Sequence, residues 1–451
     1  MRKTLQEGSA VNISRRSLIG TTAAGLLAGR TARAADMPYG LRPGKPFDGT
    51  TVNIILPNAG QYRAQAKRHP AFTALTGIKP NFIHAPYSSL LDKITTEGVS
   101  GGSSYDIVTY QDSWGAALLP YMDPVDALVG RDGFDMGSYP AVYKQSGIYE
   151  GKLYGLPLRA HPQMLFYRKD LLEQAGQQPP KSFAEFVTVA RAVQDKTGVP
   201  GIAMDYSKGN NGQNLFLWLN FLWGAGGDVL ADRKARFNDE AGLRGTALYT
   251  DLLLKEKVVN TGSVGFNESD MANSMAQGTS AMIMRWWWAY PLLTGARSTL
   301  KAEQVGFTTV PSMDAAHPAS VTTSMPFSLS KQSKNKEAAW EYIKWMCNPD
   351  LEVEIVEDKS DPDTNEIMVV HTSSFENPQL NTLTHGLHRE GLAALAAARP
   401  MPQIREWPQV ASFLETAISE IVSGGKSVKV AMDDAATQVD RALRRSGGRP
   451  G

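Results

Sequence analysis

The sequence predicts an α/β chain built around parallel strands, and two observations carry the prediction. Short apolar runs suited to strands, VNIIL at 52–56, KPNFIHAP at 79–86 and YDIVTY at 105–110, alternate with stretches long enough for a helix. Such alternation reads as βαβ units, in which a crossover helix returns the chain so that the next strand lies parallel to the last. The bulk composition permits it: 451 residues, 42% hydrophobic and 20% charged, are ordinary for a globular chain and enough for two or more packed domains.

Taken in order, the first 34 residues stand apart, holding Arg2, Lys3, Arg15, Arg16, Arg30 and Arg33 against Glu7 alone. Ser14-Arg15-Arg16, the apolar small-residue stretch from Leu18 to Ala28 and the A-x-A site Ala32-Arg33-Ala34 read as an export signal. Its SRRSLIG core resembles a twin-arginine signal, whose passengers cross the membrane already folded. The expectation is a soluble periplasmic protein cut after Ala34, with the twin-arginine export machinery as one partner. The remaining chain has 40 basic and 44 acidic residues, a balance of −4, so no strongly basic body argues for nucleic acid or an anionic membrane. Cys347 stands alone, which excludes an internal disulfide, a CxxC redox pair and a cysteine zinc cage.

From Thr50 the strand-like runs are separated by helical stretches through AKRHPAFTAL to Gly77 and near SSLLDKITTEGV. A second unit opens with GKLYGLPLRAHPQMLFYRKDLLEQAG at 151–176. In the helix that follows, Ser182 and Glu185 form a capping box, Phe183, Phe186, Val187 and Ala190 make one apolar face, and Gly198 with Pro200 stops it. A section at 309–349 has the loop ASVTTSMPF, a strand-like FSLSK and the helix KNKEAAWEYIKWM, ended by Asn348-Pro349. Near the end, Val410, Phe413, Leu414, Ala417, Ile418, Ile421 and Val422 repeat at helical spacing before Gly424, as a strongly amphipathic docking helix does. No fixed-period repeat is visible, which argues against a solenoid or propeller.

Catalytic and metal signatures are missing. There is no GxSxG elbow or HExxH, and the seven histidines (69, 84, 161, 317, 371, 385, 388) lack zincin spacing. GGKS at 424–427 fails as a phosphate loop because residue 420 is Glu and the stretch follows a helix, so it reads as a C-cap and turn. Gly224-Ala225-Gly226-Gly227 fails the dinucleotide pattern at Val229. Asp361, Asp363 and Asn365 begin like a calcium loop, but Glu366 and Thr372 occupy the positions that need glycine and glutamate, which leaves a solvated acidic loop. No metal or cofactor is expected.

Aromatic and polar residues instead cluster at segment ends: TYQDSW, LPLRAHP, NGQNLFLWLNFLW, RWWW at 285–288 and REWP. In open α/β sheets ligands bind beyond the carboxyl ends of strands. Sugars need flat aromatic faces against C–H surfaces together with hydrogen-bonding side chains. The triplet Trp286-Trp287-Trp288 poses its own problem, because neither a strand nor a helix turns three successive side chains into one core.

The phrases YDIVTYQDSW, LLPYMDPVDAL, GKLYGLPLRAHPQMLFYRKDLLEQAG, QPPKSFAEFVTVARAV, MAQGTSAMIMRWWW, SKNKEAAWEYIKWMCNPD and ARPMPQIREWPQVASFLETAI occur in one order from about residue 50 to 443. In that order they resemble the sugar-type extracellular solute-binding proteins, the family of maltose-binding protein and other ABC-importer receptors. The resemblance implies a two-lobed periplasmic-binding-protein fold of type II, each lobe a mainly parallel sheet flanked by helices, with ligand in the cleft. It implies a first lobe of 35–157 and 310–348 and a second of 158–309 and 349–451, with crossings near Pro157, Val310 and Asn348.

It also implies site positions. Tyr110 and Asp112 fall in the first-lobe loop that supplies an aromatic and a carboxylate, and Trp114 extends it. His161, with Arg159 beside it, falls where maltose-binding protein has a ligand-binding glutamate. Asn214 lies in a stretch that supplies a polar contact, Trp288 matches a sugar-stacking aromatic, Trp286-Trp287 replaces the usual Gly-Pro, and Trp407 lies in a late aromatic loop. If 281–288 is the family's strand, alternation sets Trp286 and Trp288 on one side and Arg285 with Trp287 on the other. The implied activity is capture of a mono- or oligosaccharide or polyol by a monomer that delivers it to an ABC permease, with no catalysis. Two alternatives remain: an exported carbohydrate-active enzyme, for which Asp112 lacks a partner acid, and a binder of a non-sugar solute such as a polyamine, which the few acids in these loops oppose.

Overall fold

Two long strands organise the molecule. The computed structural model describes residues 37–209, 212–313, 319–360 and 367–447, so the export signal and the calcium-like run 361–366 lie outside the described residues. The main sheet has ten strands: β1 (Thr51–Pro57), β2 (Lys79–Ala85), β3 (Ile107–Thr109), β4 (Met122–Asp123), β5 (Gly155–Arg168), β6 (Ile202–Ala203), β7 (Met282–Trp286), β8 (Val305–Thr309), β9 (Ser320–Ser330) and β10 (Ala398–Pro400). Its order is β2-β1-β3-β9-β5-β7-β6, with β8 also on β5, and β4 and β10 on β9.

The βαβ reading holds at the edge: β2 and β3 both lie parallel to β1. The expectation of mainly parallel sheets does not hold. β9 runs antiparallel to β3, β4 and β5, and β5 runs antiparallel to β7 and β8. The physical reason is that β5 and β9 are long connectors that run back through the middle of the sheet, which local strand-helix alternation cannot reveal. β5 pairs with β9 from Gly155 to Pro162 and then with β7 and β8 from Gln163 to Arg168. Where Pro157 of β5 meets Pro326 of β9 the register shifts, since neither residue has an N–H to offer the ladder.

Each half of the sheet has its own packing. Over β1, β3 and β9, the helix Lys336–Met346 sets Tyr342 against Phe327 (ring centroids 6.3 Å) and Trp345 against Phe72 (4.7 Å). In the other half, every residue of the helix Gln213–Gly224 is buried, and its Phe221 stacks on Phe183 at 4.4 Å. Phe183 opens the helix Phe183–Thr197. Ser182 caps that helix by accepting from the Glu185 N–H, while the Glu185 carboxylate reaches the Lys181 N–H, one residue before the partner a capping box would use. The helix Trp407–Val422 buries the predicted stripe apart from half-buried Phe413 and packs on the helix Val428–Gly447. Gly424 ends it at φ 76°, and Lys426 lies between Glu420 and Asp434, so GGKS is a turn tied by ion pairs. Among the described residues no helix is long and apolar enough to cross a membrane.

Candidate functional site

The register of β5 against β9 builds the floor of a cavity. Thr323 sits opposite His161 and Met325 opposite Arg159. Because side chains two apart on a strand share a face, these four project together from the central ladder. They line a cavity of about 140 Å³. Its walls come from the ends of other elements: Pro57, Asn58 and Ala59 past β1, Tyr87 at the start of the helix Tyr87–Ser100, and Gln111 just past β3. Facing them are Gln213 and Phe216 in the first turn of their helix, and Trp286 and Trp288 at the end of β7.

The tryptophan triplet is divided by the end of a strand. β7 stops at Trp286, residues 287–288 turn, and the helix Ala289–Thr294 follows. Trp286 packs edge-on against Phe216 (4.8 Å) and lies 5.9 Å from the His161 ring. Trp287 points the other way, stacked on Phe375 at 5.2 Å with His388 against its edge. Gly391 leaves room for it, since a Cβ there would come within 3.1 Å of the indole. Strand alternation groups Trp286 with Trp288 and sets Trp287 opposite, and Trp286 and Trp288 both line the cavity although Trp288 lies past the end of the strand. The Arg285 guanidinium lies 5.0 Å from the centroid of the Trp288 ring. Burial pushes Arg285 down to about 9, with Asp205 acting in the opposite direction, so it remains charged at neutral pH.

The polar groups of the cavity are sparsely partnered. Neither ring nitrogen of the buried His161 has a hydrogen-bond partner among the described residues, and the same is true of Gln111 Oε1 and Arg159 Nε. Burial first, then the charges of Arg159 and Arg285, hold His161 well below its ordinary value, so the ring is neutral, with one donor and one acceptor nitrogen. Trp286 Nε1 donates to Gln213 Oε1 at 3.5 Å. Among the described residues Arg159 is the one charged side chain in the lining, and no carboxylate lines it.

Of the residues expected at the site, Arg159, His161, Trp286 and Trp288 line this cavity. The others lie elsewhere. Asp112 is buried beneath β9, where it accepts from the Thr323 hydroxyl (2.9 Å) and from the Ser324 and Ser113 N–H groups. Burial outweighs those bonds and pushes it up to about 7, so it braces Thr323 rather than facing the cavity. Trp114 lies behind Tyr87 at 5.2 Å, and the Tyr110 hydroxyl accepts from Ser328 inside the core. Asn214 is fully buried, one position past Gln213, where the helix turns it inward. Trp407 is 2% exposed, packed in the core at the first position of its helix.

Sequence reading missed Asn58, Tyr87, Gln111, Phe216, Thr323 and Met325, and it singled out Gln213 in its cluster without placing it at the site. Gln111 and Gln213 sit inside the clusters TYQDSW and NGQNLFLWLNFLW, one residue from Asp112 and Asn214, so the clusters were informative at the resolution of a loop. Thr323 and Met325 could be found only through the register with β5.

The family model for bacterial extracellular solute-binding proteins matches residues 57–352. A binding protein of Brucella abortus is 24% identical over 410 residues, covering 88% of this chain and 93% of that one. Among solved structures, maltose-bound MalE3 of T. maritima is 20% identical with a TM-score of 0.78, covering 88% of this chain and 100% of its own. An ABC-transporter solute-binding protein of Agrobacterium radiobacter, in complex with ribitol, is 24% identical with a TM-score of 0.77, covering 88% and 100%. At these identities the likeness is one of fold: a two-lobed α/β periplasmic-binding-protein architecture.

Proposed function

The chain belongs to the bacterial extracellular solute-binding proteins, and from that premise we propose that it captures a carbohydrate or polyol and hands it to an ABC import permease. One observation carries the ligand class. The cavity sets the aromatic rings of Tyr87, Phe216, Trp286 and Trp288 against the amides of Asn58, Gln111 and Gln213, the Thr323 hydroxyl, neutral His161 and Arg159. Aromatic faces suit sugar C–H surfaces, and neutral donor-acceptor groups suit hydroxyls. The small volume of about 140 Å³ favours a compact ligand such as one monosaccharide or a linear polyol. The maltose-bound and ribitol-bound neighbours are consistent with this class.

In this reading the lobes are 35–157 with 310–348 and 158–309 with 349–451, and they close over ligand about β5 and β9. The protein is a periplasmic monomer, exported by the twin-arginine route on the strength of residues 14–34, and performs no chemistry on its ligand. A polyamine is disfavoured because no carboxylate among the described residues lines the cavity to meet its charges.

Thermal-shift screening of the mature protein against sugars, polyols, amino acids and polyamines tests the reading. A midpoint rise with a sugar or polyol recovered unchanged supports it, because only ligand bound to the native state stabilises. Turnover of the ligand, or a response confined to amino acids or polyamines, overturns it.

A further inference from the structure

We propose that the preferred ligand is a sugar acid, a monosaccharide or polyol bearing a carboxylate, and that Arg159 is the residue that selects it. The inference rests on the carbohydrate reading and narrows it. Arg159 comes from β5 and lines a cavity in which no other charged side chain appears among the described residues. Its Nη1 donates only to Met325 Sδ at 3.4 Å, and its buried Nε has no partner among the described residues. The side-on fork formed by Nε–H and Nη2–H is therefore unengaged, and that fork matches the two oxygens of a carboxylate. A half-buried guanidinium without a counter-ion is costly, and an anionic ligand removes that cost where a neutral one does not.

The surrounding charges agree. Arg285 lies behind Trp288 and adds positive potential, while His161 is neutral. The nearby acids are engaged away from the guanidinium. Asp112 is held by Thr323, Ser324 and Ser113 on the far side of β9's Thr323, and Glu415 accepts from the Gly209 N–H at 3.1 Å.

Calorimetric titration of the mature protein with two matched pairs, glucuronate against glucose and gluconate against glucitol, tests the assignment. The expected result is that the acid of at least one pair binds about tenfold or more tightly than its neutral partner, as a charged hydrogen-bonded pair would give. Arg159→Gln should abolish that preference, and Arg159→Lys should restore part of it. Circular dichroism confirms that each variant is folded. Equal or tighter binding of the neutral partners, or a preference that survives Arg159→Gln, overturns the proposal and leaves the carbohydrate reading standing. If the wider sugar and polyol panel also fails, the carbohydrate reading falls and this inference falls with it.

Discussion

A groove beside the C-terminal helices encloses about 1030 Å³, against about 140 Å³ for the cavity on the β5–β9 ladder. The groove is the larger, and it carries the exposed arginines 233, 405, 441 and 445. Its chemistry is largely answered: Arg233 pairs with Glu406, whose Oε1 also accepts from Ser446, which leaves Glu406 Oε2 as the one buried lining atom without a partner among the described residues, and the remaining guanidinium groups are exposed. In the cavity, by contrast, four buried polar atoms, both ring nitrogens of His161, Gln111 Oε1 and Arg159 Nε, lack partners among the described residues, and aromatic side chains line the same space. Native proteins seldom tolerate such atoms unless something else supplies the hydrogen bonds. Volume is therefore a poor guide to where a ligand binds, and unspent hydrogen-bonding capacity within a small enclosed space is a better one.

The sharpest test of that contrast separates affinity from stability within the tryptophan triplet. Trp287→Ala, on the sealed face, should lower unfolding free energy by about 3–5 kcal/mol in urea titrations, while ligand affinity measured below the new melting point stays within a few fold. Trp286→Ala should do the reverse in emphasis: affinity falls by about thirtyfold or more, equivalent to about 2 kcal/mol, in calorimetry. If both variants lose only stability, the cavity is not the ligand site.

Bracing from beneath should matter next. Asp112→Asn keeps the shape but turns an amide N–H toward the Ser324 N–H, one of the groups the carboxylate now accepts from. Loss of that hydrogen bond, with the Ser324 N–H left facing another donor, is worth about 1–3 kcal/mol, so a lower melting point is expected, and affinity should fall by about tenfold because the backbone of β9 shifts beneath the cavity floor.

Protonation offers a milder probe. His161 has a folded value well below the 6.5 of the free side chain, so below about pH 6.5 the unfolded chain binds a proton that the folded chain does not. Stability from this group is complete above that pH and declines as pH falls, by about 1.4 kcal/mol per pH unit. Asp112, raised from 3.8 to about 7, has the opposite sign and gains stability as pH falls between those values. Urea midpoints at pH 7, 6 and 5 should show His161→Gln losing less stability on acidification than the parent. The smallest effect is reserved for the groove: Arg405→Gln with Arg441→Gln should change stability by no more than about 0.5 kcal/mol each and leave affinity unchanged. A large loss of affinity there would reverse the contrast between the two regions.

How far the sequence could be read follows from how local each feature is. Helix ends were legible because a cap, an apolar stripe and a stopping glycine lie within a few residues, as at Ser182 and Gly198. The split of Trp286 from Trp287 was legible because alternation is a nearest-neighbour property. The same alternation groups Trp288 with Trp286, and both line the cavity even though the strand ends at Trp286. The loop after β3 was misread by one residue, since a short turn over Asp112–Trp114 directs Gln111 to the cavity and Asp112 beneath β9. Antiparallel pairing of β9 with β3 and β5, and with it the site role of Thr323, joins residues such as Thr109 and Phe327 and leaves no trace in any short window.

That same strand bears on how the molecule is made. β9 fills the gap between β3 and β5, yet it is synthesised only after the whole of 158–309. Until it arrives, β3 presents a bare edge able to pair with another chain. Closing the gap requires a long-range encounter of the kind that slows folding and favours collapsed intermediates. The first half thus cannot finish ahead of the second as the chain leaves the ribosome. Its maturation waits on the insertion of one strand, and each molecule that waits exposes both an adhesive edge and half of an unbuilt floor.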